Sequence, residues 1–311
     1  MTLYLVRRLL VFIPTFMAIT LITYTLGFYG PGDPVRIRLG ENWHDEEAYL
    51  ALKHELGLDR PFTEQFADYL WAVLQGDFGE SIYRSDLQVG EAMANTLPVS
   101  ATLAFASSLV IILVGIPLGL IAALKHNTWI DYLLVSITVL GSSIPVFVLA
   151  PIFMIVLVLK LNLIDKIYGW EGLFSQKIIM PALILAFGPL LGVMRLTRQG
   201  VLEVLNQDYV RTARAKGLSG WVVAIRHVLR NAITPLLTNM GLVVAFLITG
   251  SILLESIFGI PGFGSLIVRS LRQRDYPILM GTTIIGASII MVANLIVDIV
   301  YVYIDPRVSY N

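Results

Sequence analysis

The sequence contains long stretches without a charged residue, and these stretches limit the possible folds more than any other feature. The two longest, Val99–Leu124 and Tyr132–Leu159, run for 26 and 28 residues. About 20 apolar helical residues cross the hydrocarbon core of a bilayer, because an α-helix rises about 1.5 Å per residue. The chain is also 56% hydrophobic and 14% charged, whereas soluble domains are about a quarter charged. We therefore expect an all-α polytopic membrane protein.

Six segments are predicted to span the membrane. They are Leu9–Phe28, Val99–Leu124, Tyr132–Leu159, Ile178–Met194, Ala232–Leu254 and Pro277–Val297. The first follows Arg7 and Arg8, so a cleaved signal peptide is a competing interpretation. Its apolar run is longer than a typical signal core, and no clear small-x-small cleavage site follows. A retained first helix with a cytoplasmic N-terminus is therefore favoured.

Residues 29–98 form the one sizeable polar region. They contain five Lys/Arg and thirteen Asp/Glu, a net charge of −8, which suits the outer face because positive residues concentrate in the cytoplasm. Apolar periodicity predicts helices at about Asp45–Leu56 and Phe62–Leu74, the second ending at Gly76. The predicted division is therefore 1–28 for the N-terminus and first helix, 29–98 for an external loop subdomain, and 99–311 for a five-helix core.

A second polar segment, residues 195–232, is basic. It contains seven Lys/Arg against Glu203 and Asp208, a net charge of +5. With six spans, this segment and both termini lie in the cytoplasm, and the acidic region lies outside. One external segment, Glu255–Tyr276, disagrees because it carries three arginines. A loop that only fixes topology is the simplest interpretation of the basic charge.

The basic segment carries signals for two helices. Asn206 or Asp208 is predicted to cap the first, and Asp208 is also an acid suited to its first turn. Gly217 is predicted to end this helix after Arg214 and Lys216 in the last turn. A second helix is predicted to start at Ser219. Its apolar positions are Trp221, Val222, Ile225, Val228 and Leu229. The small residues Ala213, Ala215 and Gly217 would let the first helix lie deep in a groove on a partner.

Prolines and paired glycines are frequent in the predicted spans. The prolines are Pro14, Pro117, Pro145, Pro151, Pro181, Pro189 and Pro235. Gly115 with Gly119, and Gly188 with Gly192, are spaced for close helix approach. Packing explains both features, and a gate made of kinked, sliding helices is the functional alternative.

Ionisable residues are almost absent from the spans. Asp298 lies near the end of the sixth, with Asn294 one turn before it, while Lys160 and Glu255 are at helix ends and are expected to reach the interface. Such residues mark proton and ion pathways. Without them, the energy for transport must come from elsewhere.

Catalytic motifs are also absent. The sequence has no phosphate-binding G-x-x-x-x-G-K, no H-E-x-x-H and no G-x-S-x-G. It has no cysteine, and its four histidines are scattered without metal-ligand spacing. We expect neither ATP hydrolysis nor a metal site on this chain.

The basic segment reads D-Y-V-R-T-A-R-A-K-G-L-S over Asp208–Ser219 and R-H-V-L-R-N-A over Arg226–Ala232. It resembles the cytoplasmic coupling loop of ABC-importer permeases, specifically the B-type membrane subunit of the dipeptide/oligopeptide family. Further similar motifs follow in order along the chain: Gly32–Pro34, Leu56–Pro61, Gln75–Gly79, Glu255–Gly264 and Asp305–Arg307.

The segment departs from the general importer pattern of E-A-A, three residues, G, nine residues and I-x-L-P. Gly217 and Leu229 fit this pattern. Arg211 and Thr212 replace its first two letters, and His227 and Arg230 replace its isoleucine and proline. Peptide-type permeases resemble this variant. The glutamate that other importers offer to the ATPase is missing.

The resemblance implies an ATP-driven, binding-protein-dependent importer of type I in a prokaryotic plasma membrane. This chain would form half of a translocation path for peptides or similar small solutes. Its implied partners are a homologous C-type permease subunit, two subunits that bind ATP and Mg²⁺, an extracytoplasmic binding protein and the lipid bilayer, with no nucleic acid. No cofactor is expected on this chain. Residues 29–98 would be a spacer, or would dock the binding protein or cap the path.

The residues implied to contact the ATPase are Asp208, Tyr209, Arg211, Thr212, Ala213, Arg214, Ala215, Lys216 and Gly217. The three cations would pair with acids on the ATPase, and closure of the ATPase would move this helix as a lever. No substrate-contact residue is assigned, and the substrate is left open among dipeptide, oligopeptide, nickel, glutathione and oligosaccharide. The alternatives are an ATP-independent channel or secondary carrier, which would show embedded charges or a filter, and a membrane-anchored enzyme.

Overall fold

Helices make up the regular structure of the part of the chain that is described. The structure is a computed structural model that describes residues 2–162 and 168–304. Side chains are described throughout these ranges except at 2–9, 43, 234–235, 237–238, 250, 298 and 300–304. Besides helices and turns, the described ranges contain an isolated antiparallel bridge between Glu80 and Gln88. The predicted all-α class is confirmed. Asp298 and Asp305–Arg307 lie outside the described side chains.

The α-helices of the first half are α1 (Thr2–Phe28), α2 (Pro34–Leu39), α3 (Glu46–Glu55), α4 (Phe62–Leu74), α5 (Val89–Val110), α6 (Ile116–Leu124), α7 (Trp129–Ser142) and α8 (Val146–Phe153). Those of the second half are α9 (Ile179–Leu205), α10 (Asp208–Ala215), α11 (Gly220–Val222), α12 (Arg230–Ala232), α13 (Thr234–Gly250), α14 (Ile252–Phe258), α15 (Phe263–Gln273) and α16 (Tyr276–Ile304). Wider π-helical turns cover Ile111–Gly115, Met154–Lys160 and Val223–Leu229, and 3-10 turns cover Gly40–His44 and Gln176–Ile178.

Four helical stretches of the described chain are long and apolar enough to cross a membrane, and two bent helix pairs raise the number to six. The four stretches are Leu10–Phe28, Val89–Leu124, Gln176–Leu205 and Tyr276–Val297. The bent pairs are Trp129–Ser142 with Val146–Lys160, at 108°, and Asn239–Thr249 with Ile252–Phe258, at 46°. The predicted six spans correspond to the upper number.

One predicted span is not a continuous helix. Tyr132–Leu159 breaks after Ser142 and resumes at Val146, with Pro145 in an extended conformation at the N-cap of α8. Proline has no N–H to donate and disfavours a helical residue before it. The third predicted span is therefore a sharply bent pair of helices, which has the geometry of a broken span or of a re-entrant loop.

The chain forms two compact units, of which the first contains residues up to 98 together with 261–291. In it, α3 and α4 confirm the two helices predicted in the polar region. Asp33 caps α2 by accepting hydrogen bonds from the N–H groups of Val35 and Arg36. Asp275 accepts from the Ser81 hydroxyl and from the Ile82 N–H, the latter at 3.2 Å.

The second unit contains residues 99–260 together with those from 292 onward. Its apolar core joins α5, α8, α9, α13 and α14. Glu255 lies inside this unit, fully buried, and its carboxylate accepts hydrogen bonds from Ser100, at 2.5 Å, and from Ser251. The prediction that Glu255 reaches the membrane interface is therefore wrong, because α14 turns this side chain inward onto two hydroxyl donors.

The two predicted glycine pairs behave differently. A Cβ added at Gly119 would lie 2.5 Å from the Met194 carbonyl oxygen, and one at Gly115 would lie 3.1 Å from the Leu190 carbonyl oxygen. This pair therefore brings α6 against α9, as predicted. Gly188 and Gly192 have nothing within 4 Å of such a Cβ. Among the residues that the structure describes, this pair does not bring two helices into close contact.

Candidate functional site

The fourth predicted span continues directly into the basic segment. α9 does not end at Met194 but runs on to Leu205. Gln207 follows in an extended conformation as the N-cap of α10, without a side-chain capping bond. The predicted caps, Asn206 and Asp208, are wrong, because the turn consists of two residues: Asn206 is the C-cap of α9, and Gln207 takes the N-cap position of α10. Asp208 is the first residue of α10, where its charge favours the helix N-terminus.

Two apolar side chains attach α10 to the rest of its unit. Val210 is fully buried and Ala213 is 5% exposed, and residues three apart lie on the same helix face. They belong to a cluster with Leu120, Ala123, Val201, Val223, Val228 and Ala232. Val210 was not among the predicted site residues, although it is the one large aliphatic side chain in an otherwise polar helix. It anchors the helix on α6, α9 and the turn after α11.

The remaining predicted site residues form one exposed surface, here called the α10 surface. It consists of Asp208, Tyr209, Arg211, Thr212, Arg214, Ala215, Lys216 and Gly217. Arg211 lies 3.4 Å from Asp208, but both side chains are exposed, and such a pair contributes little. Within the described chain, no acid contacts Arg214 or Lys216. The surface therefore presents cations that this unit does not neutralise, whereas Ala213 faces inward.

Gly217 makes the sharp turn that ends α10. Its φ is +79°, in the left-handed region that side chains with a Cβ rarely adopt. Its N–H donates to the Arg214 carbonyl at 3.0 Å, closing the helix end. Ser219 then takes an extended conformation and starts the next helix, as predicted. The predicted helix stop and restart are both confirmed.

A side-chain hydrogen bond joins α10 to the helix that follows. Asn231 donates to the Tyr209 hydroxyl at 2.9 Å and also to the His227 carbonyl at 3.0 Å. The two partners are 22 residues apart. This hydrogen bond fixes the position of the Tyr209 side chain, which belongs to the α10 surface. Nothing in the local sequence signals this bond, because it depends on the turn at Gly217 reversing the chain.

The five apolar positions predicted for the second helix do not all face the interior of the unit. Of these five positions, Val228 is buried, but Trp221 is 68% exposed and Val222 and Ile225 are also exposed. Val223 and Ala224 are buried instead. The π-helical turn over Val223–Leu229 holds more residues per turn than an α-helix, so it shifts the phase of the side chains.

An ion pair joins the C-terminal part of α9, at Arg198, to the first turn of α7, at Asp131. The Arg198 guanidinium donates to both carboxylate oxygens of Asp131, at 2.6 and 2.8 Å. Asp131 also accepts from the Asn127 N–H at 3.1 Å and lies 3.1 Å from His126. The Asp131 side chain is 2% exposed. This brace was missed by sequence reasoning.

Close backbone contacts hold the same part of α9 from two sides. Besides the contact at Gly119, a Cβ added at Gly200 would lie 2.9 Å from the Ala232 carbonyl oxygen. α9 is therefore packed tightly against both α6 and α12 where it meets the basic segment. A displacement of α10 would be passed to α9 and α6 rather than absorbed locally, since close-packed elements transmit strain.

A metal site requires several ligating side chains that lie close together. Among residues 2–162 and 168–304, no three His, Asp or Glu side chains are grouped to hold a metal ion. A multi-span helical bundle that presents a short, anchored, basic helix has the architecture of a transporter permease subunit.

Comparison with known proteins establishes the family. The chain belongs to the family described as the binding-protein-dependent transport system inner membrane component, whose model matches residues 115–310. The model of its N-terminal region matches residues 1–111. The chain is therefore a multi-pass inner-membrane permease subunit.

Relatives match over the full length. The dipeptide transport system permease protein DppB of Escherichia coli strain K12 is 36% identical over 336 residues, covering 99% of each chain. DppB of Haemophilus influenzae is 39% identical over 328 residues, covering 98% of each. The oligopeptide transport system permease protein AppB of Bacillus subtilis is 36% identical over 321 residues, covering both chains completely.

A solved structure supports the fold. It is the MetNI methionine ABC transporter in inward-facing conformations, with a TM-score of 0.59 at 13% identity. The match covers 68% of this chain and 96% of the MetNI chain. The all-α class with an ABC importer type I permease-like fold is thus confirmed.

Proposed function

We propose that this chain is the B-type membrane subunit of an ATP-driven importer of short peptides. It forms half of the translocation path with a homologous permease subunit. Two ATP-binding subunits act from the cytoplasm, where both termini of this chain lie, and an extracytoplasmic protein delivers the solute. The peptide is taken from the relatives named for dipeptide and oligopeptide transport.

The α10 surface carries this proposal. Val210 and Ala213 fix the helix to its own unit, while Arg214 and Lys216 point outward without acidic partners in the described chain. One face of this helix is anchored to its own unit, and the other face carries positive charges that no acid in the described part of the unit neutralises. Such a helix suits docking to an acidic groove, because opposite charges across an interface guide association. The ATP-binding subunits would supply that groove.

The packing of α9 supports a route for the motion. When the ATP-binding subunits close, α10 moves with them. Val210 pulls on the cluster beneath it, and the Arg198–Asp131 brace passes the motion to the start of α7. The bend before Pro145 and the bend between α13 and α14 are places where spans could change direction. ATP binding would thereby switch the path between inward and outward openings.

The test is to extract the protein from its native membrane in mild detergent and identify the chains that co-purify. A second permease and one or two nucleotide-binding chains are expected, and proteoliposomes of this complex should take up a labelled dipeptide only with ATP and the binding protein. A stable homo-oligomer that moves the peptide without ATP would contradict the proposal and support a carrier.

A further inference from the structure

The first unit contains a cavity that the coupling mechanism does not use. Its volume is about 590 Å³, and its walls come from the end of α1, from α2 and α3, and from the start of α16. A smaller cavity of about 250 Å³ shares Tyr24, Gln65, Glu80 and Met280 with it. Ligand pockets in proteins measure about 300–1,000 Å³. The larger cavity is therefore wide enough for a small solute.

Aromatic side chains form a fixed wall of the larger cavity. Tyr24, Phe28 and Tyr276 line it. The Tyr276 hydroxyl donates to the Pro31 carbonyl at 2.7 Å, and the Tyr24 ring lies 5.6 Å from the Phe62 ring. Rings held in this way give apolar contact area at little entropic cost. They suit an apolar side chain of a ligand.

Two of the carboxylates in the lining are already paired within the unit. Asp33 accepts from the Tyr49 hydroxyl at 2.9 Å in addition to capping α2. Glu80 accepts from Arg38 at 3.3 Å and from Gln88 at 3.1 Å. These pairs shape the cavity.

Three polar side chains that line the two cavities have no such partner within the described part of the unit. Lys53 is half-buried and Glu55 is exposed, and neither forms an ion pair in the parts of the chain that are described. Tyr69 lines the smaller cavity, and its hydroxyl is buried without a hydrogen-bond partner in the described part of the chain. A buried unpaired hydroxyl costs about 1–3 kcal/mol. Burial also raises the pKa of Tyr69, so this hydroxyl keeps its proton and can donate.

We infer that these joined cavities bind a short peptide with free termini, its carboxylate on Lys53, its ammonium group beside Glu55 and a backbone carbonyl on the Tyr69 hydroxyl. The cation matches the carboxylate end of a dipeptide, the anion matches its ammonium end, and the hydroxyl donor matches its backbone carbonyl. The aromatic wall matches an apolar side chain. The choice of peptide rests on the proposed function. The site itself is a direct solute-binding site on the permease, separate from the binding protein.

The test uses the complete importer in lipid nanodiscs, without the binding protein. Calorimetric titration compares L-alanyl-L-phenylalanine with its C-terminal amide. The free dipeptide should saturate, and the amide should bind roughly tenfold more weakly, because a charge-assisted hydrogen bond is lost. Lys53→Met should weaken the free dipeptide by the same factor and abolish the difference. Glu47→Gln, on the exposed part of α3 away from the cavity, is the matched control and should change nothing.

A second variant separates binding from folding. Tyr69→Phe removes a hydroxyl that has no partner in the empty protein, so the thermal stability of the unliganded complex should not fall. Dipeptide binding should nevertheless weaken several-fold. If Tyr69→Phe and Lys53→Met both leave binding unchanged, or if the dipeptide does not saturate, the inference is wrong.

Uptake by the same complex, reconstituted into proteoliposomes with the binding protein, distinguishes this inference from the proposed function. ATP-driven dipeptide uptake with the binding protein, but without saturable binding to the importer alone, would overturn the site and leave the function standing. Lys53-dependent binding without ATP-driven uptake would retain the site and contradict the function.

Discussion

Arg198 and Asp131 face each other as a two-bond ion pair, with the guanidinium 2.6 and 2.8 Å from the two carboxylate oxygens. They are 67 residues apart in the chain. The pair joins the base of α9, from which the basic segment extends, to the first turn of α7. It lies in the same unit as the α10 surface, which we propose to receive the ATP-binding subunits, and it fixes the helix that leads into α10.

Breaking this pair is expected to destabilise the protein. Asp131→Asn leaves Arg198 without its charged partner, and removing one member of a buried pair costs about 3–5 kcal/mol. The Arg198 side chain is 25% exposed, and solvent screening reduces the expected loss to about 2–3 kcal/mol. Thermal unfolding of the purified complex, followed by tryptophan fluorescence, measures it. Arg195→Gln, on an exposed position one turn earlier, is the control and should leave the melting temperature unchanged.

A double-mutant cycle isolates the interaction. Adding Arg198→Gln to Asp131→Asn should cost less than the sum of the two single changes, because each removes the same contact. Strict additivity would contradict the role assigned to the pair.

The two glycine pairs provide a matched prediction. Gly119→Val places a side chain within 2.5 Å of the Met194 backbone, whereas Gly188→Val enters open space. The first change should lower stability by about 1–3 kcal/mol or more, since overpacking forces the helices apart. The second should leave the stability of the purified chain unchanged. Equal losses in the two variants would contradict the close contact between α6 and α9.

Local signals predicted the elements that depend only on neighbouring residues. Apolar periodicity located α3 and α4, and the glycine at position 217 marked the end of α10. Pro145 also signals the interruption of the helix before α8, but the sequence alone indicates no more than a kink at this residue. A bend of 108° depends on how the following helix packs, which periodicity does not report.

The features that sequence reasoning missed depend on distant partners. The burial of Glu255 requires Ser100, which is 155 residues away. The inward face of α10 depends on the packing of Val210 against α6 and α9. Which apolar side chains after Ser219 are buried depends on the π-helical turn over Val223–Leu229. No residue type in the sequence predicts such a turn. These contacts follow from tertiary packing, which the pattern of single segments does not determine.

An exposed pair on the polar region should show a pH dependence. His54 lies 2.7 Å from Asp59, whose hydrogen bond raises the pKa of His54, while the same bond lowers the pKa of Asp59. The attraction is therefore present between the lowered pKa of Asp59 and the raised pKa of His54. Its contribution to stability is lost as the pH rises through the His54 value, and also as it falls through the Asp59 value.

NMR of ¹³C-labelled histidine measures this shift, with His54→Gln assigning the signal. The wild-type His54 signal should titrate above the ordinary value of about 6.5. Asp59→Asn should return it toward that value, whereas Glu64→Gln, elsewhere on the polar region, should not. A titration of His54 that is unaffected by Asp59→Asn would show that the pair does not form.

The last prediction concerns the turn at Gly217, which positions the α10 surface. Gly217→Val introduces a β-branched side chain at φ +79°, a strained conformation. Gly220→Val is the matched control, because neither glycine has a neighbour within 4 Å of an added Cβ and only Gly217 has a positive φ. If the turn sets the direction of the lever, Gly217→Val should lower dipeptide uptake about tenfold or more while ATP hydrolysis by the complex continues. Gly220→Val should retain the wild-type ratio of uptake to hydrolysis in proteoliposomes. An unchanged ratio in Gly217→Val, with the complex intact, would exclude this turn from the coupling.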